Sequence, residues 1–230
     1  MFDSRFWRIN VERKGREAEP VVTIDQFAAD PEALVNAAAG ARFSAEAAHY
    51  PGIRADVGVA MSQAMLAALR PVFADVFAMP TAPSMLGCFF SIVTTPAATL
   101  TPLQRLPHYD GVEAERLALI LYLCAPEHGG TSFYRHKATE FETVSQERFA
   151  AYRAALAADV QTHGLPPPGY INGDTPLFER IGGSPATFNR AVLYRGRNLH
   201  SGDIAPDFRF DPSPRNGRLT LNAFLLGRPA

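Results

Sequence analysis

The chain has 230 residues and a mass of 25.0 kDa, with 47% hydrophobic and 20% charged residues, a balance that excludes a disordered chain, a collagen and a coiled coil. Twenty-two basic against 23 acidic residues leave a net charge of -1, so no electrostatic footprint for a nucleic-acid backbone is present. A chain of this length removes roughly 70% of its unfolded surface from water and needs no disulfide or structural metal to fold. Its two cysteines, Cys88 and Cys124, sit in apolar runs and read as buried thiols. No apolar run is expected to reach the roughly 18 residues of a membrane span. The segment Met1–Trp7 lacks a basic-then-apolar leader pattern, so a cytoplasmic protein that binds neither membrane nor nucleic acid is expected.

In chain order, Val21–Asp25 is a β-branched run and predicts a strand. Asp30 followed by Pro31 reads as a helix N-cap with proline at the first helical position, and Gly40 as the stop. Met61, Met65, Leu66, Leu69, Phe73 and Val76 recur at helical spacing and predict a second helix, kinked at Pro71. Beyond Pro80 and Pro83 the pattern becomes β-like. Met85–Thr95, Leu117–Cys124, Thr131–Tyr134, Ala191–Tyr194 and Arg218–Leu226 predict at least five strands, the third tied to the second by the Gly129-Gly130 loop. Gln146–Val160 predicts an amphipathic helix, followed by a proline-rich surface linker at Gly164–Gly169. Helices first and strands later indicate an α+β domain with a sandwich or barrel core. The expected organisation is one domain over 1–230, with an N-terminal helical buttress at 1–84. A β core at 85–230 would carry a helical and proline-rich insertion at about 137–190.

Among the six histidines, only His108 has a carboxylate two residues on, in His108-Tyr109-Asp110. On an extended segment such residues share a face, so an imidazole and a carboxylate can grip one cation. Alone the triplet carries little weight, since chance produces one in roughly a third of such chains. His200, after a strand and a turn, is placed to supply a third ligand. Two histidines and one carboxylate on one side of a metal leave positions open, an arrangement suited to ferrous iron and oxygen. The last strand adds context. Arg218, Thr220 and Asn222 alternate with Leu219, Leu221 and Ala223. The plain reading is a strand with one solvated face. The sharper one is that Arg218 and Thr220 point into a barrel and clamp a carboxylate, for which a planar guanidinium is suited.

Taken together, His108-x-Asp110, His200 after a strand, Arg218-x-Thr220 on the last strand and the Tyr122-Leu123…Gly129-Gly130 segment resemble the Fe(II)/2-oxoglutarate-dependent oxygenase superfamily, in particular its prolyl-hydroxylase-like branch. Tyr50-Pro51-Gly52-Ile53-Arg54 is similar to a group of bacterial members without an assigned substrate. The resemblance covers about residues 85–228, with 137–190 lacking a counterpart. It implies a double-stranded β-helix, a jelly-roll or cupin-like barrel, buttressed by N-terminal helices. It further implies iron held by His108, Asp110 and His200, and 2-oxoglutarate held by Arg218, Thr220 and Tyr122. The implied reaction is a hydroxylation or related oxidation of a small molecule, amino acid or peptidyl side chain, with release of succinate and CO2. Asp110 favours this over halogenation, because superfamily halogenases carry a small residue at that position. Tyr50, Arg54 and Asn222 are candidates for substrate contact, and a plain loop is the competing reading of Tyr50–Arg54.

Other features have plainer readings. Tyr109 is expected to pack in the core, His128 and His136 to be surface histidines, and Arg195 and Arg197 to be solvated turn residues. No Gly-rich phosphate loop, Cys-x-x-Cys pair or Gly-x-Ser-x-Gly elbow occurs. The competing functional classes are a jumonji-like protein hydroxylase, favoured if 137–190 form a groove for an extended peptide, and a non-catalytic jelly-roll binding protein.

Overall fold

The computed structural model describes residues 1–45 and 49–228. Ten strands and three α-helices follow one another as β1 (Arg8–Lys14), β2 (Glu19–Asp25), α1 (Pro31–Ala39), β3 (Gly52–Asp56), α2 (Val59–Phe77), β4 (Ser84–Val93), β5 (Arg116–Tyr122), β6 (Thr131–His136), α3 (Phe149–His163), β7 (Phe178–Ser184), β8 (Arg190–Arg195), β9 (His200–Gly202) and β10 (Leu219–Leu226). Seven strands form one antiparallel sheet in the order β1-β2-β8-β5-β10-β4-β3, and β7-β6-β9 form a second.

Both faces of the larger sheet are buried, which is why its central strands read as apolar runs. On one face Leu117, Leu119, Leu121, Leu193, Leu219, Leu221 and Leu225 meet the helices through Leu34, Met65, Leu69 and Phe73. On the other, Val21, Ala118, Tyr122, Val192 and Tyr194 meet Phe133 of the smaller sheet. The Phe133 ring stands edge-on to Tyr194, with centroids 5.1 Å apart. Deleting any of the buried leucines would cost about 2–5 kcal/mol.

The helices begin where the sequence places them. The Asp30 carboxylate accepts from the Ala33 amide at 3.0 Å, Pro31 opens α1 and Gly40 ends it. In α2 the buried Met65, Leu69, Val72, Phe73 and Phe77 recur along one face that packs on the sheet, and Pro71 lies inside the helix. Contrary to the expectation of no span-length run, an 18-residue window of α2 has a mean hydropathy of 1.2, so by length and composition that helix is long and apolar enough to cross a membrane. That hydropathy comes from alanines and from the residues that meet the sheet.

Four strands escape the sequence reading. β1 is an exposed edge strand of mixed polarity, β7 holds two glycines, and β9 has three residues. The Tyr50–Arg54 segment is only in part a loop: β3 starts at Gly52 and pairs with β4 in the register Arg54↔Ser91. There a cross-strand partner overrides turn-forming residues. The first 84 residues thus supply three strands of the larger sheet as well as two helices. The Gly129-Gly130 loop, expected to tie β5 to β6 as neighbours, instead carries the chain from one sheet to the other. Gly129 has φ +82°, and a Cβ there would lie 1.6 Å from the Asp203 carbonyl oxygen, so only glycine fits.

Candidate metal centre and its cavity

His108 and Asp110 do not lie in a regular strand. They are stitched to the segment after β8 by backbone bonds. The His108 amide donates to the His200 carbonyl at 2.9 Å, the His200 amide to the His108 carbonyl at 2.8 Å, and the Asp110 amide to the Gly196 carbonyl at 2.7 Å. This antiparallel bridge sets His108 directly opposite His200, with ring centroids 4.3 Å apart. β6 fixes His200 from the other side through Phe133↔His200, and Tyr194 closes over its ring at 4.8 Å. One ligand atom from each of His108, Asp110 and His200 can be chosen so that all lie within 4.8 Å of one another. The three residues predicted from spacing converge.

The electrostatics suit a cation. His200 Nδ1 lies 2.8 Å from the Asn198 carbonyl oxygen, so that nitrogen carries the proton and Nε2 presents its lone pair. Burial pulls the His200 pKa down to about 4, against the Asn198 hydrogen bond that favours the charged form. Surrounding protein and the neighbouring His200 also lower the pKa of His108. Burial is the first cause there as well, although 57% of the His108 side chain remains accessible. Asp110 is pushed upward by burial, against the pull of His108, Arg54 and Arg116. Its carboxylate oxygens stand 3.9 Å from His108 Nε2 and 3.5 Å from His200 Nε2, and buried Oδ2 accepts no hydrogen bond. A desolvated carboxylate without a partner beside two imidazole lone pairs is costly when empty and satisfied by a divalent ion.

These residues open on a cavity of about 1010 Å³. Its walls come from the Tyr50–Arg54 segment, from residues 102–107, and from α3 through Phe149, Tyr152, Leu156 and Val160. Arg218 lines it too. Arg218 Nε donates to the carbonyls of His128 (3.1 Å) and Gly129 (3.2 Å), and Nη2 to Gly130 (2.8 Å). Among the described residues Nη1 has no acceptor. Tyr50 also lines the cavity. Burial pushes its hydroxyl up to about 12 although Arg218 and Arg54 favour ionisation, and the hydroxyl oxygen is buried without a partner.

The remaining predicted residues lie on the same sheet face but outside that lining. One cross-strand row runs Arg54, Ser91, Thr220, Tyr122. The Tyr122 hydroxyl donates to Thr131 Oγ1 at 2.8 Å, and its ring lies 5.9 Å from the Arg218 guanidinium carbon. Thr220 Oγ1 donates to the Ser91 carbonyl at 3.4 Å, and buried Asn222 Oδ1 has no partner.

One plainer expectation holds with an addition, and two change. Tyr109 packs half-buried against the core cluster around Tyr152, edge-on to that ring at 6.0 Å, and also lines the cavity. His136 is fully buried, with Nδ1 2.9 Å from Thr139 Oγ1 and Nε2 2.9 Å from Asp159 of α3. Arg195 and Arg197 are half-buried and both ion-paired to Glu19, a partner 176 or more positions away that no local reading reveals. Sequence reasoning also missed Ser91, Phe149 and Tyr170. A lone serine sharing the face of Phe89 in an apolar strand was the one signal for Ser91.

Among solved structures the chain is similar to SnoK, a non-heme alpha ketoglutarate dependent carbocyclase from nogalamycin biosynthesis, at TM-score 0.50 and 12% identity over 93% of this chain and 84% of that one. HygX from Streptomyces hygroscopicus, solved with nickel, 2-oxoglutarate and hygromycin B bound, aligns at TM-score 0.48 and 12% identity over 92% and 84% of the two chains. An N-substituted L-amino acid dioxygenase from Burkholderia ambifaria AMMD aligns at 0.47 and 12% over 96% and 94%. At such identities the likeness to SnoK speaks for the fold alone. No curated protein matches the sequence. The model of DUF6445, a family of unknown function, matches residues 6–225, and the chain belongs to that family.

Proposed function

We propose that the chain is an Fe(II)- and 2-oxoglutarate-dependent oxygenase acting on an organic small molecule within the cavity. The observation that carries this reading is the convergence of His108, Asp110 and His200 on the cavity wall, with His200 Nε2 freed for a ligand and Asp110 Oδ2 unpartnered. Two imidazoles and one carboxylate form the donor set that suits ferrous iron and leaves coordination positions open. The ketoglutarate dependence in SnoK's description, on a shared fold, supports the same reading. So does the two-sheet architecture, which we take as a double-stranded β-helix, with residues 1–230 acting as one domain.

When bound, iron and 2-oxoglutarate supply the oxidation itself, the cosubstrate leaving as succinate and CO2. The chain's own residues bind and orient. His108, Asp110 and His200 hold the metal. Arg218 offers Nη1 to the distal carboxylate of the cosubstrate while carbonyls on its other nitrogens lock the fork. Tyr122 and Thr220 position that guanidinium and the Ser91 strand next to it, and Tyr50 meets the substrate. The aromatic wall excludes water from the reacting centre. Residues 137–190 supply α3 as a wall of the cavity, which favours a small substrate over the extended peptide of a jumonji-like hydroxylase.

The test needs no substrate. Metal-free protein titrated anaerobically with Fe(II) and 2-oxoglutarate should develop the visible charge-transfer band of a chelated keto acid. Asp110→Ala and His200→Ala should abolish it, and Arg218→Gln should weaken cosubstrate affinity. Wild-type protein that binds neither metal nor keto acid would overturn the assignment and leave a non-catalytic binding protein.

A further inference from the structure

Arg54 is a half-buried cation that meets no anion among the described residues. Its guanidinium lies against three aromatic rings, with its central carbon 4.2 Å from the Tyr50 centroid, 5.4 Å from Phe89 and 5.5 Å from Phe224. Among the described residues it forms no salt bridge and no side-chain hydrogen bond, and Nε is buried with no partner. Arg218 and Arg105 also lack a carboxylate but give their N–H groups to backbone carbonyls, and other half-buried or buried arginines are paired with acids. Arg116 pairs with Glu113, Arg135 with Glu142, Arg190 with Asp25, and Arg195 with Glu19. Arg54 also lines the cavity that holds His108 and Asp110.

From this geometry we infer that Arg54 anchors the carboxylate of the substrate, and that the cavity takes a bulky, largely apolar carboxylic acid. The inference rests on the oxygenase reading for its charge balance. A divalent ion bound by Asp110 keeps one positive charge, Arg218 adds another, and a dianionic cosubstrate cancels both. The Arg54 charge is then left over, in a place where rings on three sides limit hydration and strengthen a contact ion pair. A single guanidinium matches one carboxylate through two parallel N–H···O bonds, whereas a phosphate dianion would call for a second cation. Beyond Arg54 and Arg218, the one arginine on the wall among the described residues, Arg153, stands exposed on α3.

The rest of the cavity sets the substrate's body. A five-carbon cosubstrate fills a small part of about 1010 Å³. What remains is walled by Phe149, Tyr152, Leu156 and Val160 of α3. At the rim Leu103 and Leu165 keep 65% and 44% of their surface exposed, so the apolar lining continues to the mouth.

The experiment uses the full chain under anaerobic conditions with Fe(II) and 2-oxoglutarate, and follows binding by calorimetry with 4-phenylbutyrate and its neutral amide as probes. The acid should bind at least tenfold tighter than the amide. Arg54→Gln should erase that preference and Arg54→Lys should keep part of it, with circular dichroism checking both variants for the fold. Affinity for 2-oxoglutarate should survive Arg54→Gln and fall in Arg218→Gln. Equal binding of acid and amide, binding of neither, or a preference untouched by Arg54→Gln would overturn the inference. It would equally fall if Arg54→Gln, and not Arg218→Gln, removed 2-oxoglutarate binding, since Arg54 would then serve the cosubstrate. Failure of the oxygenase reading looks different: wild-type protein binds no 2-oxoglutarate, yet an Arg54-dependent preference for the acid persists and supports the anchor alone.

Discussion

The two faces of the seven-stranded sheet are equally buried and built on opposite terms. The helix face is apolar throughout its central strands: Leu117, Leu119, Leu121 and Leu221 expose essentially nothing and carry no polar atom on their side chains. The opposite face contains Ser91, Asn222 and Arg54, and beside it Tyr50 and Asp110, each with a buried polar atom that lacks a hydrogen-bond partner. Buried orphan polar atoms are uncommon because each forfeits its hydration. Here Tyr50, Arg54 and Asp110 line one cavity, while Ser91 and Asn222 lie behind that lining on the same sheet face and others such as Ser184 and Asn198 lie elsewhere. The helix face stabilises the fold by apolar burial, whereas the opposite face carries polar groups that contribute less to stability than they cost.

That contrast can be broken from either side. The largest effect is expected at the metal ligands. Asp110→Ala or His200→Ala should lower Fe(II) affinity by on the order of a thousandfold, read by equilibrium dialysis, since even an outer-sphere change costs about 10–100-fold. On the helix face Leu221→Ala should cost about 2–5 kcal/mol in urea unfolding and leave Fe(II) affinity unchanged. If it weakened metal binding as strongly as the ligand variants, the two faces would not be separable. Gly129→Ala should destabilise by about 2 kcal/mol or more, because it forces a positive φ and a clash with the Asp203 carbonyl where the chain passes between sheets.

The smaller effects sharpen the comparison. Asp110→Asn removes a desolvated, unpartnered carboxylate, so without metal it should raise stability by about 1 kcal/mol while lowering Fe(II) affinity. Thermal melts in the presence of a chelator check this, and a lower melting temperature would mean that the carboxylate is satisfied in the empty protein. Ser91→Ala should change stability by less than about 0.5 kcal/mol, since its Oγ has no partner to lose. A large loss in the unfolding midpoint would show that the hydroxyl has a partner within the protein.

Much of this contrast is written in the chain. Period-two alternation in Arg218–Leu226 separates greasy from polar positions, and the structure sends Leu219, Leu221 and Ala223 to the helices and Thr220 to the opposite face. The two-residue spacing of His108 and Asp110 also carries over, because the segment is extended and bridged to His200. Other parts were illegible for identifiable reasons. β3 hides in Tyr50-Pro51-Gly52 because its pairing energy comes from β4, nearly forty positions on. β9 is three residues long and carries no periodicity at all. His136 looked like a surface residue because its partner Asp159 sits on a helix 23 positions later.

Residue type and local spacing were enough to place the helices, the central strands and the His108-x-Asp110 pair, because capping, periodicity and the two-residue repeat of a strand act within a few positions. Folding in space settled which of the polar residues share one cavity. Arg54, Tyr50 and Arg218 are separated by up to 168 positions yet line the same wall, whereas Tyr122 and Thr220 find partners at Thr131 and Ser91. That Arg54 meets no carboxylate among the described residues is a property of everything packed around it, and a short-range pattern holds no record of it.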